Sequence, residues 1–249
     1  MRIFFIISLL IYSNCIFSKE INLHFEINWK SAHLADLFWD ISIEDNQYDI
    51  KYLIKSYGIT DQIFKYESLT FVKGYIDDNQ LRPVSYKSKT KSTRQYVYTN
   101  ISFNKDGTII NFDISKEISK DQLDLQNQIL KKFLNFTDPV SQLSQYFLYN
   151  TNSDRLIIDG LNIYQLKKDN IYSDILRDDN SDIHNDKVKK LILSFPFFEG
   201  IHKIDKKNNL YEIHMTYKEL NNLLLPIEYD IFSKKFNAKL FLKNYEVSE

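Results

Sequence analysis

The residues of this chain best suited to acid–base or metal chemistry are its histidines, which are His24, His33, His184, His202 and His214. No two of them have the spacing of a helical metal motif, and no HExxH, GxSxG, GxGxxG or P-loop pattern occurs. His202 and His214 could meet across a hairpin beside Glu212 as a weak metal site, but two surface histidines is the simpler interpretation. We therefore predict no metal site, no cofactor and no catalytic residue.

An acidic run at Asp178, Asp179 and Asp182 superficially resembles a calcium-binding loop. It lacks the glycine and the closing glutamate of such loops, so we interpret it as a solvated segment. The pattern as a whole favours a non-enzymatic protein. A hydrolase whose catalytic groups meet only in the folded chain stays open as an alternative, and it would require a cleft with acidic or histidine side chains in hydrogen-bonding geometry.

A basic strip is predicted on one strand, where Lys87, Lys89 and Lys91 share a face and Arg94 and Tyr96 follow. Such a strip could bind anionic lipid headgroups or other phosphates. Lysines also discourage pairing between exposed sheet edges, and we favour that interpretation here.

Apolar side chains point to both faces of the predicted sheet. Phe38 opposes Trp39, and Leu53 opposes Tyr52. One face must cover helices, while the other could line a groove for an acyl chain or an apolar partner. A thick core that buries both faces is the competing interpretation, which we favour. The candidate ligand-binding residues are Trp39, Phe38, Arg82, Tyr86, Lys87, Lys89 and Tyr96.

These candidates depend on strands, which the alternation of apolar and polar residues predicts along most of the chain. From Lys19 to Trp29, apolar side chains at Ile21, Leu23 and Phe25 share one face of an extended segment. An aromatic content of 15% also favours pleated surfaces. Further strands are predicted at 37–43, 48–54, 69–76, 83–91, 94–103, 108–112, 155–158, 162–168, 188–198, 210–217, 225–231 and 236–245, with a polar loop at 169–186.

The period changes to that of a helix in the middle of the chain. One helix is predicted over 123–134. A second begins at Asp138, whose carboxylate can cap the free N–H groups, followed by Pro139 in the first turn. Its predicted buried stripe is Val140, Leu143, Phe147 and Leu148.

The first 18 residues have the pattern of a secretory signal peptide: Arg2, an apolar run, and a more polar stretch ending at Ser18. We do not expect lipid anchoring through Cys15, because Tyr12 and Asn14 are poor residues before a lipidation site. Residues 19–249 are predicted to form a single domain, with no transmembrane segment after cleavage. Removing Arg2 changes the net charge from −1 to −2, which argues against a nucleic-acid partner.

Several short motifs in this order resemble the DUF3108 family of exported bacterial proteins of unknown function. They are the first strand ending at Trp29, Leu81-Arg82-Pro83 with Tyr86, Asp138-Pro139-Val140-Ser141, Ile158-Asp159-Gly160 with Tyr164, and Leu225-Pro226-Ile227-Glu228 leading to Lys239-Leu240. The resemblance implies an envelope protein with a long curved antiparallel sheet and a few helices packed on it. It implies structural roles for these motif positions and no reaction.

We therefore expect a mainly β (β-rich α+β) protein, with a long curved antiparallel sheet or half-barrel and two mid-chain helices packed on it. It is expected in the periplasm of a Gram-negative bacterium, binding a lipid-like ligand or another envelope component. A protein–protein interaction module without a ligand cavity is the alternative, distinguished by an exposed apolar patch.

Overall fold

The computed structural model describes residues 18–115, 120–151, 154–160, 162–175, 187–200, 210–220, 223–233 and 237–248. The helices in these residues are α1 (Gly58–Ile63), α2 (Lys120–Lys132) and α3 (Pro139–Tyr149). The strands are β1 (Ser18–Trp29), β2 (Ala32–Glu44), β3 (Gln47–Ser56), β4 (Tyr66–Asp77), β5 (Gln80–Ser92), β6 (Tyr96–Phe103), β7 (Ile109–Ile114), β8 (Phe136–Thr137), β9 (Leu156–Ile158), β10 (Asn162–Ile175), β11 (Lys187–Gly200), β12 (Leu210–Leu220), β13 (Leu223–Ser233) and β14 (Asn237–Ser248).

All the strands belong to one sheet in which sequence neighbours pair and β1 also pairs with β14. The pairs are antiparallel except the short parallel pair of β8 and β9. The two ends of the sheet, β7 and β8, approach each other, since the Phe136 N–H donates to the Gly107 carbonyl oxygen at 3.0 Å. The sheet is therefore nearly closed and barrel-like, and the predicted curved antiparallel fold is confirmed.

The inner face of this barrel-like sheet is built from the apolar positions of the predicted alternation. Ile21, Leu23 and Phe25 are at most 2% exposed, and Trp39 on β2 is 1% exposed. Because strand side chains alternate between faces, the polar residues between them lie on the outer face. The core is thus enclosed by the sheet on most sides.

Helix α3 lies inside the sheet. The Asp138 carboxylate caps it as predicted, because Oδ1 accepts from the N–H groups of Val140 and Ser141, both at 2.9 Å. The predicted apolar stripe is confirmed, because Val140 and Phe147 are buried and Leu143 and Leu148 are half-buried against the core. Polar side chains that were not predicted to be buried are buried on this helix as well. Those buried polar residues are Ser141, Gln142, Ser144 and Gln145. The reason is that α3 contacts β3, β5, β9 and β13, so no broad face is left for solvent.

Two other elements differ from what the sequence predicts. The first is helix α1, which was not predicted. The polar loop predicted at 169–186 is wrong up to Ile175, because β10 continues that far and pairs with β11. Main-chain pairing in a hairpin does not require an apolar face. The rest of that loop, the acidic run, His184, His202, Cys15 and the leader up to residue 17 lie outside the described residues. Among the described helices, none has both the length and the apolar character needed to cross a bilayer.

Candidate functional site

A cavity of about 380 Å³ lies between the inner face of β3 to β6 and the beginning of α3. Most of its lining side chains carry a hydroxyl group. The lining residues are Tyr52, Tyr66, Ser68, Thr70, Tyr86, Ser88, Thr90, Gln95, Val97, Thr99, Pro139, Val140, Leu143 and Asp159.

Two pairs of hydroxyls on neighbouring strands form the wall of this cavity. Ser68 Oγ and Thr90 Oγ1 are 2.9 Å apart, and Thr70 Oγ1 donates to Ser88 Oγ at 3.0 Å. Each pair is directly opposite in the register of β4 and β5, so all four side chains share the inner face. At inner-face positions β4 and β5 carry these small hydroxyl side chains, whereas β1 and β2 carry large apolar ones. The smaller side chains leave unfilled volume, which forms the cavity.

Polar contacts of α3 close the cavity at the end of the sheet where the β2–β3 and β4–β5 turns lie. Ser141 Oγ is 2.8 Å from the Tyr48 hydroxyl. Gln145 accepts from the Leu81 N–H and donates to the Asn79 carbonyl oxygen, both at 2.6 Å. Arg155, which is 4% exposed, donates to the Leu81 carbonyl oxygen at 2.8 Å. Helix α3 is therefore fixed as a floor.

The cavity opens at the opposite end, where β5 turns into β6. Thr70 and Tyr86 are buried, Ser68 is half-buried, and Gln95 in the turn is exposed. Exposure thus rises steadily towards that turn, which places the mouth there.

The cavity is almost free of charge. Among the described residues, its lining includes no lysine or arginine, and Asp159 is the one carboxylate. Asp159 Oδ1 accepts from the N–H of Asn162 at 2.8 Å, which stabilises the turn after β9. Burial, together with the nearby Asp159, raises the pKa of Tyr86, so its phenol stays neutral. Behind the cavity wall, burial raises the pKa of Asp138 to about 6. The site therefore offers neutral donors and acceptors with aromatic rings.

Among the predicted ligand-binding residues, only Tyr86 lines this cavity. Trp39 lies in the core, with its ring edge-on to Tyr52 at 5.1 Å and to Phe147 at 5.2 Å. Phe38 lies on the outer face, stacked on His24 at 4.5 Å. The predicted second apolar face is thus partly covered by a histidine.

The basic strip lies on the outer face, away from the cavity. Lys87, Lys89 and Tyr96 are exposed there. The interpretation of these lysines as protection for a sheet edge is wrong, because β5 is paired on both sides, with β4 and β6. Arg82 Nε lies 3.8 Å from Asp77 Oδ2 beside the closed end.

The family-motif positions have recognisable structural surroundings. Pro83 is buried opposite Gly74 in the register of β4 and β5. A Cβ added to Gly74 would lie 2.5 Å from the Tyr48 ring, so only glycine fits there. Gly160 has a φ of +98° and packs on Thr99, so a side chain would not fit there. Tyr164 lies 5.9 Å from the ring of Phe195. Asp138 and Pro139 begin α3, and Trp29 ends β1 with 43% of its surface exposed.

Sequence reasoning missed most of the cavity, although a signal was present. Ser68 and Thr70 alternate on β4, and Ser88 and Thr90 alternate on β5, at positions that the strand period assigns to the inner face. A run of small hydroxyl residues on an inner face predicts either a hydrogen-bonded core or a cavity.

No group of three histidine, cysteine or acidic side chains in the described residues is arranged to hold a metal ion. His214 Nε2 lies 2.9 Å from Glu212 Oε2, and the third member of the weak site considered above, His202, is outside those residues. His24 Nε2 lies 2.9 Å from Asp36 Oδ1 on the outer face.

A second concavity of about 470 Å³ crosses the strands β1 to β4. Both of its lysines are paired: Lys51 with Asp40 at 3.1 Å, and Lys73 with Asp49 at 2.9 Å. Glu20 is a third carboxylate in its lining, so carboxylates outnumber lysines there.

Together, the nearly closed sheet and its cavity define a barrel-like β protein. The model of the family described as "Protein of unknown function (DUF3108)" matches residues 24–132, which run from β1 to the end of α2. The resemblance noted in the sequence is confirmed over these residues. No curated protein matches the chain.

Two solved structures are similar over most of their length. One is the crystal structure of a β-barrel-like protein of domain of unknown function DUF1849 from Brucella abortus, with 8% identity, a TM-score of 0.43, and coverage of 94% of this chain and 98% of that one. The other is a DUF1329 family protein from Desulfovibrio piger, with 10% identity, a TM-score of 0.24, and coverage of 96% and 89%. Both are too distant to carry an argument about function.

Proposed function

We propose that this chain is an exported, non-enzymatic binding protein that holds a small amphiphilic component of the cell envelope in the cavity beside α3. The observation that carries this proposal is the cavity itself, which a nearly closed sheet and a fixed helical floor keep open. Its volume of about 380 Å³ falls within the usual range of ligand pockets.

The chemistry of the lining supports binding rather than catalysis. A hydrolytic site needs a nucleophile in hydrogen-bonding reach of a base. The cavity residues that the structure describes include no histidine, and Asp159 accepts hydrogen bonds from Asn162 of its own turn. The hydroxyls of Ser68 and Thr90 bond to each other instead of to a base.

The same lining favours an uncharged polar group on the ligand. The described part of the lining has no cationic side chain to neutralise a phosphate, while its serine, threonine and tyrosine hydroxyls can each donate and accept. Val97, Val140 and Leu143 supply an apolar side. A lipid-like molecule with a hydroxyl-bearing head, such as a sugar, fits this combination.

Export is supported by the leader pattern of residues 1–18. We propose the periplasm of a Gram-negative bacterium as the compartment. Sequencing the N-terminus of the protein from a periplasmic fraction should find Lys19 first. Retention in the cytoplasm with an intact leader would contradict export.

Mass spectrometry under native conditions tests the binding function. Protein purified gently from the envelope should carry one small molecule per chain. Ser88→Phe fills the cavity and should abolish that mass, whereas Lys87→Phe, on the outer face of the same strand, should keep it. Repeated recovery of empty wild-type protein, or retention of the ligand by a folded Ser88→Phe variant, would refute the proposal.

A further inference from the structure

The open end of the sheet carries an unusual set of exposed apolar side chains. We call this end the rim and define it as the β1–β2 turn at Trp29 and Lys30, residues 57–65 around α1, and the β5–β6 turn at 93–95. The exposed apolar side chains of the rim are Ile59 (74%), Ile63 (76%), Tyr57 (52%), Trp29 (43%) and Phe64 (38%).

Helix α1 contributes nothing to the core. None of its six residues is buried. Ile59 and Ile63 stand four residues apart, so they share one helical face, and that face points to solvent. Helices of soluble domains turn such a face inwards, and a contiguous exposed apolar patch marks an interaction surface.

Positive charge surrounds this patch. Its basic side chains are Lys30, Lys55, Lys65, Lys91 and Arg94, and none of them pairs with a carboxylate in the described part of the chain. Lys30 Nζ lies 5.2 Å from the centre of the Trp29 ring, and Arg94 Cζ lies 5.9 Å from that of Phe64. Fewer acidic side chains lie beside it. Asp61 Oδ1 accepts from Ser56 at 2.6 Å, and Asp36 and Glu67 stand opposite Lys55 in the register of β3 with its two neighbouring strands. In a protein whose net charge is −1, five basic side chains against these three acidic ones make the rim locally basic.

We propose that the rim docks on the surface of an anionic lipid bilayer. Tryptophan and tyrosine prefer the boundary between headgroups and acyl chains, and exposed isoleucines gain from entering it. Lysine and arginine are attracted to anionic headgroups. The apolar residues come from three separate turns at one end of the sheet and form an end surface rather than a groove, which suits a planar partner better than a single peptide.

The rim is continuous with the mouth of the cavity. The ring of Phe64 is stacked on that of Tyr66 at 6.5 Å, and Tyr66 lines the cavity. The Thr93 N–H donates to the Lys65 carbonyl oxygen at 3.2 Å, which joins the β5–β6 turn to the end of α1. Docking would therefore direct the mouth towards the bilayer. This consequence rests on the proposed function, whereas the docking itself does not.

Vesicle flotation with the chain lacking residues 1–18 tests the proposal. Vesicles of phosphatidylcholine with added phosphatidylglycerol should bind the protein, pure phosphatidylcholine vesicles should bind it less, and added salt should weaken binding. The double variant Ile59→Ser and Ile63→Ser should bind the vesicles at least about tenfold more weakly than the wild type does. A matched control, Phe71→Ser and Ile110→Ser, removes two exposed apolar side chains elsewhere on the sheet and should bind as the wild type does.

A second pair of variants separates the rim from the basic strip. Lys65→Glu with Arg94→Glu should lose the preference for phosphatidylglycerol, whereas Lys87→Glu with Lys89→Glu should keep it. No vesicle binding by the wild type, unchanged binding by the isoleucine variant, or stoichiometric capture of one protein partner in place of vesicles would overturn the proposal. The Ser88→Phe variant should still float with vesicles, so failure of docking and failure of ligand binding are distinguishable.

Discussion

Asp138 is the residue that most directly links the stability of this fold to pH. It is fully buried, and Oδ1 accepts two N–H groups at the start of α3, while Oδ2 has no partner. Burial outweighs these hydrogen bonds and raises the pKa of Asp138 from 3.8 to about 6. The sequence predicts the cap from the Asp138-Pro139 pair, but it does not predict the burial, which depends on strands far away in the chain.

The sign of the pH effect follows from this raised pKa. The unfolded chain loses the Asp138 proton near 3.8 and the folded chain near 6, so the folded state is progressively destabilised as pH rises between these values. Asp138→Asn still caps but cannot ionise. The stability of this variant relative to the wild type should rise by about 2 kcal/mol from about pH 4 to about pH 7. Urea unfolding of both proteins across this range measures the difference, and parallel pH profiles would contradict the raised pKa.

At the scale of elements, α3 is a polar helix in a place where an apolar one is expected. Gln145, which is 3% exposed, satisfies the Leu81 N–H and the Asn79 carbonyl oxygen at the turn between β4 and β5. The first of these contacts gives the buried Leu81 N–H an acceptor in place of water, and the second ties α3 to the exposed β4–β5 turn. Polar residues on α3 thus fix its position against the strands.

Gln145→Ala should lower the free energy of unfolding by about 2 kcal/mol, because the buried Leu81 N–H loses its acceptor, whereas the exposed Asn79 carbonyl oxygen keeps the Thr151 hydroxyl as a donor. Gln128→Ala on α2 is the matched control, since that side chain is exposed, and it should change stability by less than about 0.5 kcal/mol. Chemical denaturation followed by fluorescence measures both. Equal small effects would mean that water or a neighbouring side chain takes over the role of Gln145.

The strands were predictable because one period-two pattern governs each of them, as Ile21, Leu23 and Phe25 show on β1. The polar floor formed by α3 and the cavity above it were not predictable, because they depend on which inner faces meet in three dimensions. Ser68 and Thr90 stand 22 residues apart in the chain, and only the register of β4 and β5 brings them together. The position of the lysine strip on a central strand likewise follows from pairing partners, which local pattern does not specify.

At the scale of the whole molecule, the first and last described strands are neighbours. β1 pairs with β14 from Glu20–Ser248 to Trp29–Ala238, so two strands far apart in the chain lie side by side in the sheet. The cavity likewise combines a wall from β3 to β6 with a floor from α3. The segment that matches the family model, residues 24–132, contains the wall but not the floor.

That division predicts that residues 19–132 do not fold by themselves. The inner face around Trp39 and Tyr48 would lose Phe147 and Ser141 of α3, and β1 would become an unpaired edge. Both tryptophans of the chain, Trp29 and Trp39, lie in this fragment, so their fluorescence reports on it directly. In urea, residues 19–249 should show one cooperative transition, the fragment 19–132 should show none, and adding residues 133–249 should restore it. A cooperative transition in the isolated fragment, with the midpoint of the longer chain, would instead divide the protein into two domains and contradict the single domain predicted from its sequence.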